Sequence, residues 1–333
     1  AIFDKKLNKI TICRDQLGQK PIYYYNSRNF FIFASEIKAI IKHPLIKSEV
    51  SDRGLSYYLN LGYCPSPYTL FKNIKKVPPG HYLSFKDNKI TIKQYWKIKK
   101  YHIKSNISKS DMIKEVRKRV INSVENRLMS DVGSSIFLSG GVDSTVIAGI
   151  TNKLLGKNLK TFSLGFSSKS AGGSAIPEEK KLKYNSDKYH ANLFASLIKS
   201  QHEEVIFDYD EGLPRLFIEI VKQMDEPCYA PTILPLHILS KLVSKKFKVA
   251  LTGDGGDELF GGYKMYELEN KISKYNYVPK LVRENLYNLY KLFPISDKAG
   301  RFLEHGRLDS AALRYLSFKG IFPKSDSLLA NKI

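Results

Sequence analysis

The fold is decided by residues 136–144, which read IFLSGGVDS. The apolar start of this stretch is typical of a buried strand, and its glycine-rich centre predicts a turn into a helix that begins near Ser144. Further along the chain, strand patterns at 161–166, 205–207 and 248–251 alternate with helical patterns. This alternation predicts an α/β fold in which helices flank a parallel sheet.

The first part of the chain has a different pattern. Residues 1–97 contain several short runs of β-type residues. The runs 82–85 and 90–92 flank the polar residues 86–89, which predicts a hairpin. We therefore predict two domains, a β-rich domain at 1–97 and the α/β domain at 98–333.

Two segments of the predicted α/β domain have weaker patterns. Residues 167–183 are polar and rich in glycine and serine, so we predict a loop there, followed by a helix from about Lys188 to Lys199. Asp225 and Glu226 precede another helix. They either lie near the mouth of a binding site or cap that helix.

The chain is strongly basic, with 54 Lys and Arg against 32 Asp and Glu, a formal charge of +22. Such a charge is compatible with a nucleic-acid partner. The lysines, however, are spread along the whole chain, and no RNA-recognition, zinc-finger or basic-helix motif accompanies them. We therefore do not predict a nucleic-acid partner, although the charge favours anionic ligands such as ATP.

Hydropathy and cysteine content indicate the cellular compartment. No run of about 18 apolar residues predicts a membrane-spanning helix, and residues 1–10 lack the apolar core of a secretory signal. Cys13, Cys64 and Cys228 are far apart and form no CxxC pair. We expect neither a zinc site nor a disulfide framework, and a reducing, cytoplasmic compartment fits best.

The turn after the first predicted strand of the α/β sheet has the chemistry of an anion site. Gly140 and Gly141 let the backbone turn tightly, and Ser139 and Ser144 add hydroxyl donors. The N-terminus of the following helix contributes partial positive charge, so the turn is suited to pyrophosphate. Asp143 would recruit Mg²⁺. The alternative is a glycine-rich connecting turn without a ligand.

A second glycine-rich loop follows the last predicted strand. Residues 252–263 read TGDGGDELFGGY, a composition that does not build a core. Because parallel strands end at the same edge of a sheet, this loop can face the first one. Asp257 would then share a metal and pyrophosphate site with Asp143. The alternative is that Asp257 only caps a helix beginning near Glu258.

The SGGVDS run resembles the pyrophosphate loop of the ATP-pyrophosphatase superfamily, whose members cleave ATP to AMP and pyrophosphate and adenylate a carboxyl or carbonyl oxygen. The TGDGGDELFGGY run is similar to the loop of asparagine synthetases and their β-lactam synthetase relatives. The resemblance implies a synthetase domain of the adenine nucleotide α-hydrolase-like fold that binds ATP and Mg²⁺.

The same resemblance assigns nucleotide-binding residues. Residues 161–166 resemble the family strand that lies against adenine, which makes Leu164 a candidate for the nucleotide pocket together with Leu138, Thr252 and Gly253. Leu138 and Leu164 could equally be plain core residues.

The resemblance also assigns a catalytic residue. Asp254 occupies a position at which most family members have a glutamate linked to formation of the acyl-adenylate. The aspartate is shorter, and Gly256 replaces the usual serine. The sequence therefore leaves open whether this shorter carboxylate reaches the position that the glutamate occupies.

The first predicted domain resembles the second half of a class II glutaminase domain, through residues 14–24 and 33–39. Those enzymes use an N-terminal cysteine whose own amino group is the base. This chain starts at Ala1, and Cys13 and Cys64 are internal. We expect no glutaminase activity from the chain as written. We interpret the chain as a piece of a longer enzyme, truncated at both ends, in which the C-terminal part of the synthetase domain is missing.

The resemblance implies ATP-dependent synthesis of asparagine from aspartate and glutamine-derived ammonia, with release of AMP and pyrophosphate. Within the same chemistry, the alternative is an amidotransferase that acts on a sugar acid or a peptide carboxylate. From another class, the alternative is an inactive nucleotide-binding fragment. A homodimer is a possible assembly.

Overall fold

The architecture is taken from a computed structural model, which describes residues 1–98, 107–129, 133–156, 159–166, 178–207, 213–230 and 232–319. The strands, in chain order, are β1 (Ile2–Asp4), β2 (Lys9–Cys13), β3 (Tyr23–Asn26), β4 (Phe31–Ala34), β5 (Ile74–Lys76), β6 (His81–Lys86), β7 (Lys89–Gln94), β8 (Ser134–Phe137), β9 (Lys160–Phe166), β10 (Gln201–Phe207) and β11 (Val249–Leu251).

The helices alternate with the later strands and dominate the end of the described chain. They span Ile37–Ile41, Asp52–Leu61, Lys109–Leu128, Val142–Leu155, Glu178–Leu197, Leu213–Gln223, Ile233–Val243, Gly256–Phe260, Lys264–Tyr275, Lys280–Leu292, Asp297–Gly306 and Ala311–Lys319. In the part of the chain given above, no helix is both long enough and apolar enough to cross a membrane.

The described residues form two compact units. Within the described ranges, the first unit draws on 1–98, 221–230 and 267–319, and the second on the residues between 107 and 220 and on 232–266. The first unit thus combines segments from both sides of the predicted domain boundary at residue 97, and that boundary stays a prediction.

The first unit is rich in antiparallel strands. Its two sheets have the orders β1-β2-β6-β7 and β4-β3-β5. The predicted hairpin at 86–89 is confirmed, because β6 and β7 pair antiparallel. Asp87 and Asn88 at its tip have φ of 49° and 58°. Two positive φ values in a two-residue turn match the right-handed twist of the strands, and Asp and Asn tolerate them better than most residues.

The C-terminal helices of the first unit are tied together by a buried arginine. Arg283 is 3% exposed. Its guanidinium donates to the carbonyls of Val278 at 2.9 Å and Gly306 at 2.5 Å, and it pairs with Asp309. This hydrogen bond from Arg283 holds the pKa of the Asp309 carboxyl below its ordinary value. The fork of donors thereby satisfies backbone groups that would otherwise be buried without partners.

Residues 221–230 belong to the first unit through a buried ion pair. The Glu226 carboxylate lies 2.6 Å from Lys76 Nζ, and the two side chains are 11% and 15% exposed. Glu226 also accepts from the Leu70 N–H at 2.8 Å, and Asp225 accepts from the Lys38 N–H at 3.3 Å. The predicted capping role is wrong, because the N-cap residue of the next helix, Ile233–Val243, is Thr232.

We expect Glu226→Gln to lower the free energy of unfolding by about 1.5–3 kcal/mol, because the amide keeps the Leu70 contact but leaves the Lys76 ammonium without its counter-charge. Denaturant unfolding measures the change. The matched control is Glu49→Gln, whose pair with Lys72 is 52% and 51% exposed and should contribute less than about 1 kcal/mol. Equal losses in the two variants would show that the buried pair has no special weight.

The second unit contains the parallel sheet, which confirms the predicted fold class. Its strand order is β10-β9-β8-β11, and every neighbouring pair is parallel. Ile136 and Leu138 belong to one apolar cluster, whereas Phe137 between them packs against another. Because alternate residues of a strand point to opposite faces, helices cover this sheet on both sides.

The helix predicted from about Lys188 begins earlier, at Glu178. The predicted loop at 167–183 is thus wrong for its last residues, and residues 167–177 lie outside the described part of the chain. The early start is physically reasonable, because 178–181 read EEKK, and Glu and Lys are strong helix formers.

Candidate functional site

The strand order places two loops at one edge of the parallel sheet. The chain runs from β8 outward to β9 and β10, and then returns to β11 on the other side of β8. The direction of winding therefore reverses between β8 and β11. In open α/β sheets, ligands bind outside the carboxyl ends of the strands at such a reversal. The loop after β8 (residues 138–144) and the loop after β11 (residues 252–257) flank this point.

The first loop is held in shape by its two serines. Ser144 is buried, and its Oγ accepts from the Ser139 N–H at 3.2 Å and lies 3.0 Å from Ser139 Oγ. The Ser144 hydroxyl also donates to the Gly141 carbonyl at 3.1 Å. Gly141 is the N-cap residue of the helix Val142–Leu155, and Asp143 lies in the first turn of that helix. The loop is thereby ordered by its own side chains, in front of a helix N-terminus.

Gly140 is required at its position for two reasons. Its φ is +80°, a conformation that residues with a Cβ rarely adopt. A Cβ at this position would also lie 2.3 Å from the Asp187 carbonyl oxygen and 2.8 Å from the Ala191 nitrogen. The helix Glu178–Leu197 therefore packs directly on the backbone of the loop.

The second loop is in contact with the first. A Cβ built on Gly253 would lie 2.6 Å from the Ser144 nitrogen, and one on Gly256 would lie 2.3 Å from Asp143 Oδ2. Given the 3.8 Å spacing of consecutive Cα atoms, the Cα of Asp257 is at most about 8 Å from that oxygen. An aspartate side chain reaches about 3.5 Å, so the two carboxylates lie within about 11 Å of each other.

Asp257 does not cap the short helix that contains it. That helix spans Gly256–Phe260, and its N-cap residue is Gly255, with φ +96° and no side-chain cap hydrogen bond. The capping alternative for Asp257 is therefore wrong. The Asp257 side chain instead lies against the backbone of Gly262, where a Cβ would be 1.9 Å from Oδ1.

Asp254, the catalytic candidate, is exposed at the tip of the second loop. Its Oδ2 accepts from the Thr252 hydroxyl at 2.9 Å, and its N–H donates to the same Thr252 oxygen at 3.3 Å. This local turn fixes the direction of the shorter carboxylate and leaves it open to solvent.

A cavity of about 190 Å³ opens beside the first loop, at the ends of β8 and β9. Leu138, Ser139 and Leu164 line it, three of the residues that the sequence assigned to nucleotide binding. The cavity is smaller than a site for a whole drug-sized ligand, which has about 300–1,000 Å³. The cavity therefore suits one part of a ligand, such as a base.

The cavity also has walls that the sequence did not identify. They are contributed by Phe137, Phe162, Ser163, Asp187, Lys188, Ala191, Pro235 and Leu239. Ser163 could have been predicted as a cavity residue, because it adjoins Leu164 on β9. Lys188 and Asp187 come from the helix that packs on Gly140, and no local pattern indicates that long-range contact. Lys188 Nζ pairs with Glu204 on β10 at 2.7 Å.

His202 on β10 lies between two hydroxyl groups of β9. Its Nδ1 is 2.9 Å from Thr161 Oγ1, and its Nε2 is 3.0 Å from Ser163 Oγ. Burial lowers the pKa of His202 below its ordinary value, and the charge of Glu204 only partly opposes this. The neutral imidazole is therefore favoured at neutral pH.

The residues of the two loops fit Mg²⁺ and a polyphosphate in donor chemistry. Carboxylate oxygens from Asp143 and Asp257 are hard ligands of the kind that Mg²⁺ binds, and Mg²⁺ usually completes its shell with water and phosphate oxygens. Across the described ranges, no group of three or more His, Cys, Asp and Glu side chains is arranged to hold a metal ion. A cation at these loops would thus depend on phosphate from a ligand.

Comparison with known proteins gives the family. The asparagine synthase family matches residues 115–322, and a glutamine amidotransferase domain matches residues 1–96. The chain belongs to the asparagine synthase family.

Individual relatives agree with this family. The chain is 33% identical over 292 residues to a putative glutamine-hydrolysing asparagine synthetase 2 of Methanocaldococcus jannaschii, over 85% of this chain and 52% of that protein. It is 31% identical over 327 residues to the glutamine-hydrolysing asparagine synthetase 1 of Bacillus subtilis, over 97% of this chain and 48% of that protein. The chain therefore spans about half the length of these curated relatives.

Proposed function

We propose that this chain carries the ATP-binding site of a glutamine-dependent asparagine synthetase. The observation that carries the proposal is the contact of the two glycine-rich loops, in which Gly253 and Gly256 lie against Ser144 and Asp143. That contact brings the glycine-rich turn, a helix N-terminus and two acidic residues to one end of a parallel sheet, beside a cavity lined partly by leucines, which supports the proposal.

In the proposed arrangement, the base of ATP enters the cavity between Leu138 and Leu164. Backbone N–H groups at the start of the helix Val142–Leu155 bind the β- and γ-phosphates. The hydroxyls of Ser139 and Ser144, which bond to each other and to the Gly141 carbonyl, contact the phosphates only by giving up those bonds. Thr252 and Gly253 lie beside the phosphates on the other side. Mg²⁺, when bound, neutralises phosphate charge and assists departure of pyrophosphate.

The chemistry activates a carboxylate toward an amine. An oxygen of the aspartate side-chain carboxylate attacks the α-phosphorus of ATP, and the bond to pyrophosphate breaks. Ammonia then attacks the acyl carbon, loses a proton, and AMP leaves with the former carboxylate oxygen. Asp143 and Asp257 would hold Mg²⁺, whose charge would stabilise the departing pyrophosphate. The exposed Asp254 is assigned the role of accepting that proton.

Aspartate and glutamine-derived ammonia are the substrates that this proposal names. The tests are calorimetric titration of the chain with ATP and Mg²⁺, and assay of AMP and asparagine formation from ATP, aspartate and ammonium. With aspartate labelled by ¹⁸O in its carboxylates, we expect one labelled oxygen to appear in AMP. ATP binding without label transfer from aspartate would reject aspartate as acceptor, and the absence of ATP binding would reject the site.

A further inference from the structure

A chain of hydrogen bonds connects the core of the second unit to the cavity. Thr161 Oγ1 lies 2.9 Å from Ser200 Oγ and 2.9 Å from His202 Nδ1. His202 Nε2 lies 3.0 Å from Ser163 Oγ. Ser163 is 4% exposed and lines the cavity, so its hydroxyl stands at the end of this chain.

The donor in each of these hydrogen bonds can be assigned by starting from Ser200, the residue farthest from the cavity. Ser200 Oγ donates to the Ala195 carbonyl at 3.4 Å, and a carbonyl can only accept. Because a hydroxyl has one proton, we assign the Thr161 proton to its bond with Ser200. Thr161 therefore accepts from His202 Nδ1–H, and the unprotonated Nε2 accepts the proton of Ser163.

This assignment requires a neutral His202, and its surroundings favour that form. The ring is half-buried, and its hydrogen-bond partners are uncharged hydroxyls. Glu204, two residues away on β10, is paired with Lys188 of the covering helix at 2.7 Å. A paired carboxylate stabilises an imidazolium less than a free one would.

We propose that Ser163 is a specificity-determining residue that selects a nucleotide base carrying an amino group, with His202 as the residue that positions it. The single Ser163 proton is committed to His202, so the oxygen presents only lone pairs to the cavity. Such an acceptor suits the exocyclic amino group of adenine and disfavours a base without a donor at that place. This inference rests on the proposed ATP site and adds a reason for the choice of base.

The test compares the affinities of ATP and purine riboside 5′-triphosphate, which lacks the exocyclic amino group, by calorimetry with Mg²⁺. The wild-type chain should prefer ATP. In Ser163→Ala this preference should fall about three- to tenfold, the value of one hydrogen bond, through weaker ATP binding. Ser163→Cys, which is closer in shape, should lower the preference by a smaller factor and covers the case in which the alanine variant fails to fold.

Two further variants complete the design. Ser135→Ala removes a buried serine of β8 that bonds to the Val249 carbonyl and does not line the cavity, so it should keep the wild-type preference. His202→Phe should lower the preference while leaving the affinity for the amino-free analogue unchanged, a split that a merely structural role would not produce.

The outcomes separate the two proposals. If wild-type protein binds ATP but Ser163→Ala and Ser163→Cys keep its full preference, the role of Ser163 is overturned and the ATP site stands. If only His202→Phe keeps the full preference, the positioning role of His202 is overturned. If the wild-type chain binds neither nucleotide, the proposed function fails, and this inference fails with it.

Discussion

Replacement of Asp143 by asparagine should abolish Mg²⁺-dependent ATP binding. The substitution preserves the shape of the side chain, which lies against Gly256, but removes the charge that would hold the metal. Residues that only orient a metal ligand usually contribute about 10–100-fold to metal affinity, and the loss of a ligand should exceed that range. Calorimetric titration with ATP, in Mg²⁺ and in EDTA, measures the effect. The variant in Mg²⁺ should resemble the wild-type chain in EDTA.

The matched control is Asp111→Asn. Asp111 also lies in the first turn of a helix of the second unit, Lys109–Leu128, where it bonds with the N-cap Ser108. Both substitutions remove a favourable charge from a helix N-terminus, worth about 0.3–1 kcal/mol. Only the change at Asp143 should alter ATP affinity, and an unchanged affinity there would remove the metal assignment.

The second large effect is expected for Gly140→Ala. The new Cβ would meet the Asp187 carbonyl oxygen at 2.3 Å, in a backbone conformation with φ +80°. Backbone strain of about 1–3 kcal/mol and overpacking of about 1–3 kcal/mol should both lower the free energy of unfolding. Because the helix Glu178–Leu197 must move, Lys188 and the cavity move with it. We expect ATP binding to fall below detection at millimolar ligand.

Gly156→Ala separates these two causes. Gly156 has φ +75°, but a Cβ there meets nothing within 4 Å. It follows the helix Val142–Leu155, away from the cavity-lining residues. The variant should lose stability through strain and keep the wild-type ATP affinity. Similar ATP affinities in the two variants would contradict the view that the packing of helix on loop shapes the site.

Local patterns were sufficient for the parts of the fold in which neighbours along the chain decide the conformation. The strand, turn and helix around Gly140 follow from the apolar run and the glycines after it, and the hairpin at 86–89 follows from a polar pair that tolerates positive φ. The contact between Gly256 and Asp143 could also be predicted from the sequence, because both loops follow parallel strands and such strands end at a common edge.

The rest depends on contacts between distant parts of the chain. Glu226 was expected to serve the site or a helix, but it pairs with Lys76, about 150 positions earlier, and no periodicity encodes that choice. The role of Ser163 appears only when β10 brings His202 beside it. The helix starts early, at Glu178, because Glu and Lys have high helix propensity. The glycines and serines just before them led to the prediction of a loop.

The strand order also determines when the parts of the parallel sheet can pair during synthesis of the chain. Synthesis proceeds from the N-terminus, so β8, β9 and β10 are available to pair well before β11 leaves the ribosome. Gly253 and Gly256, which complete the contact with Asp143, are made about 110 residues later. The nascent chain therefore passes through a stage with three paired strands and an unfinished site. Nucleotide capture should begin only once about residue 260 has emerged, and a ligand arriving then would stabilise the completed sheet by mass action.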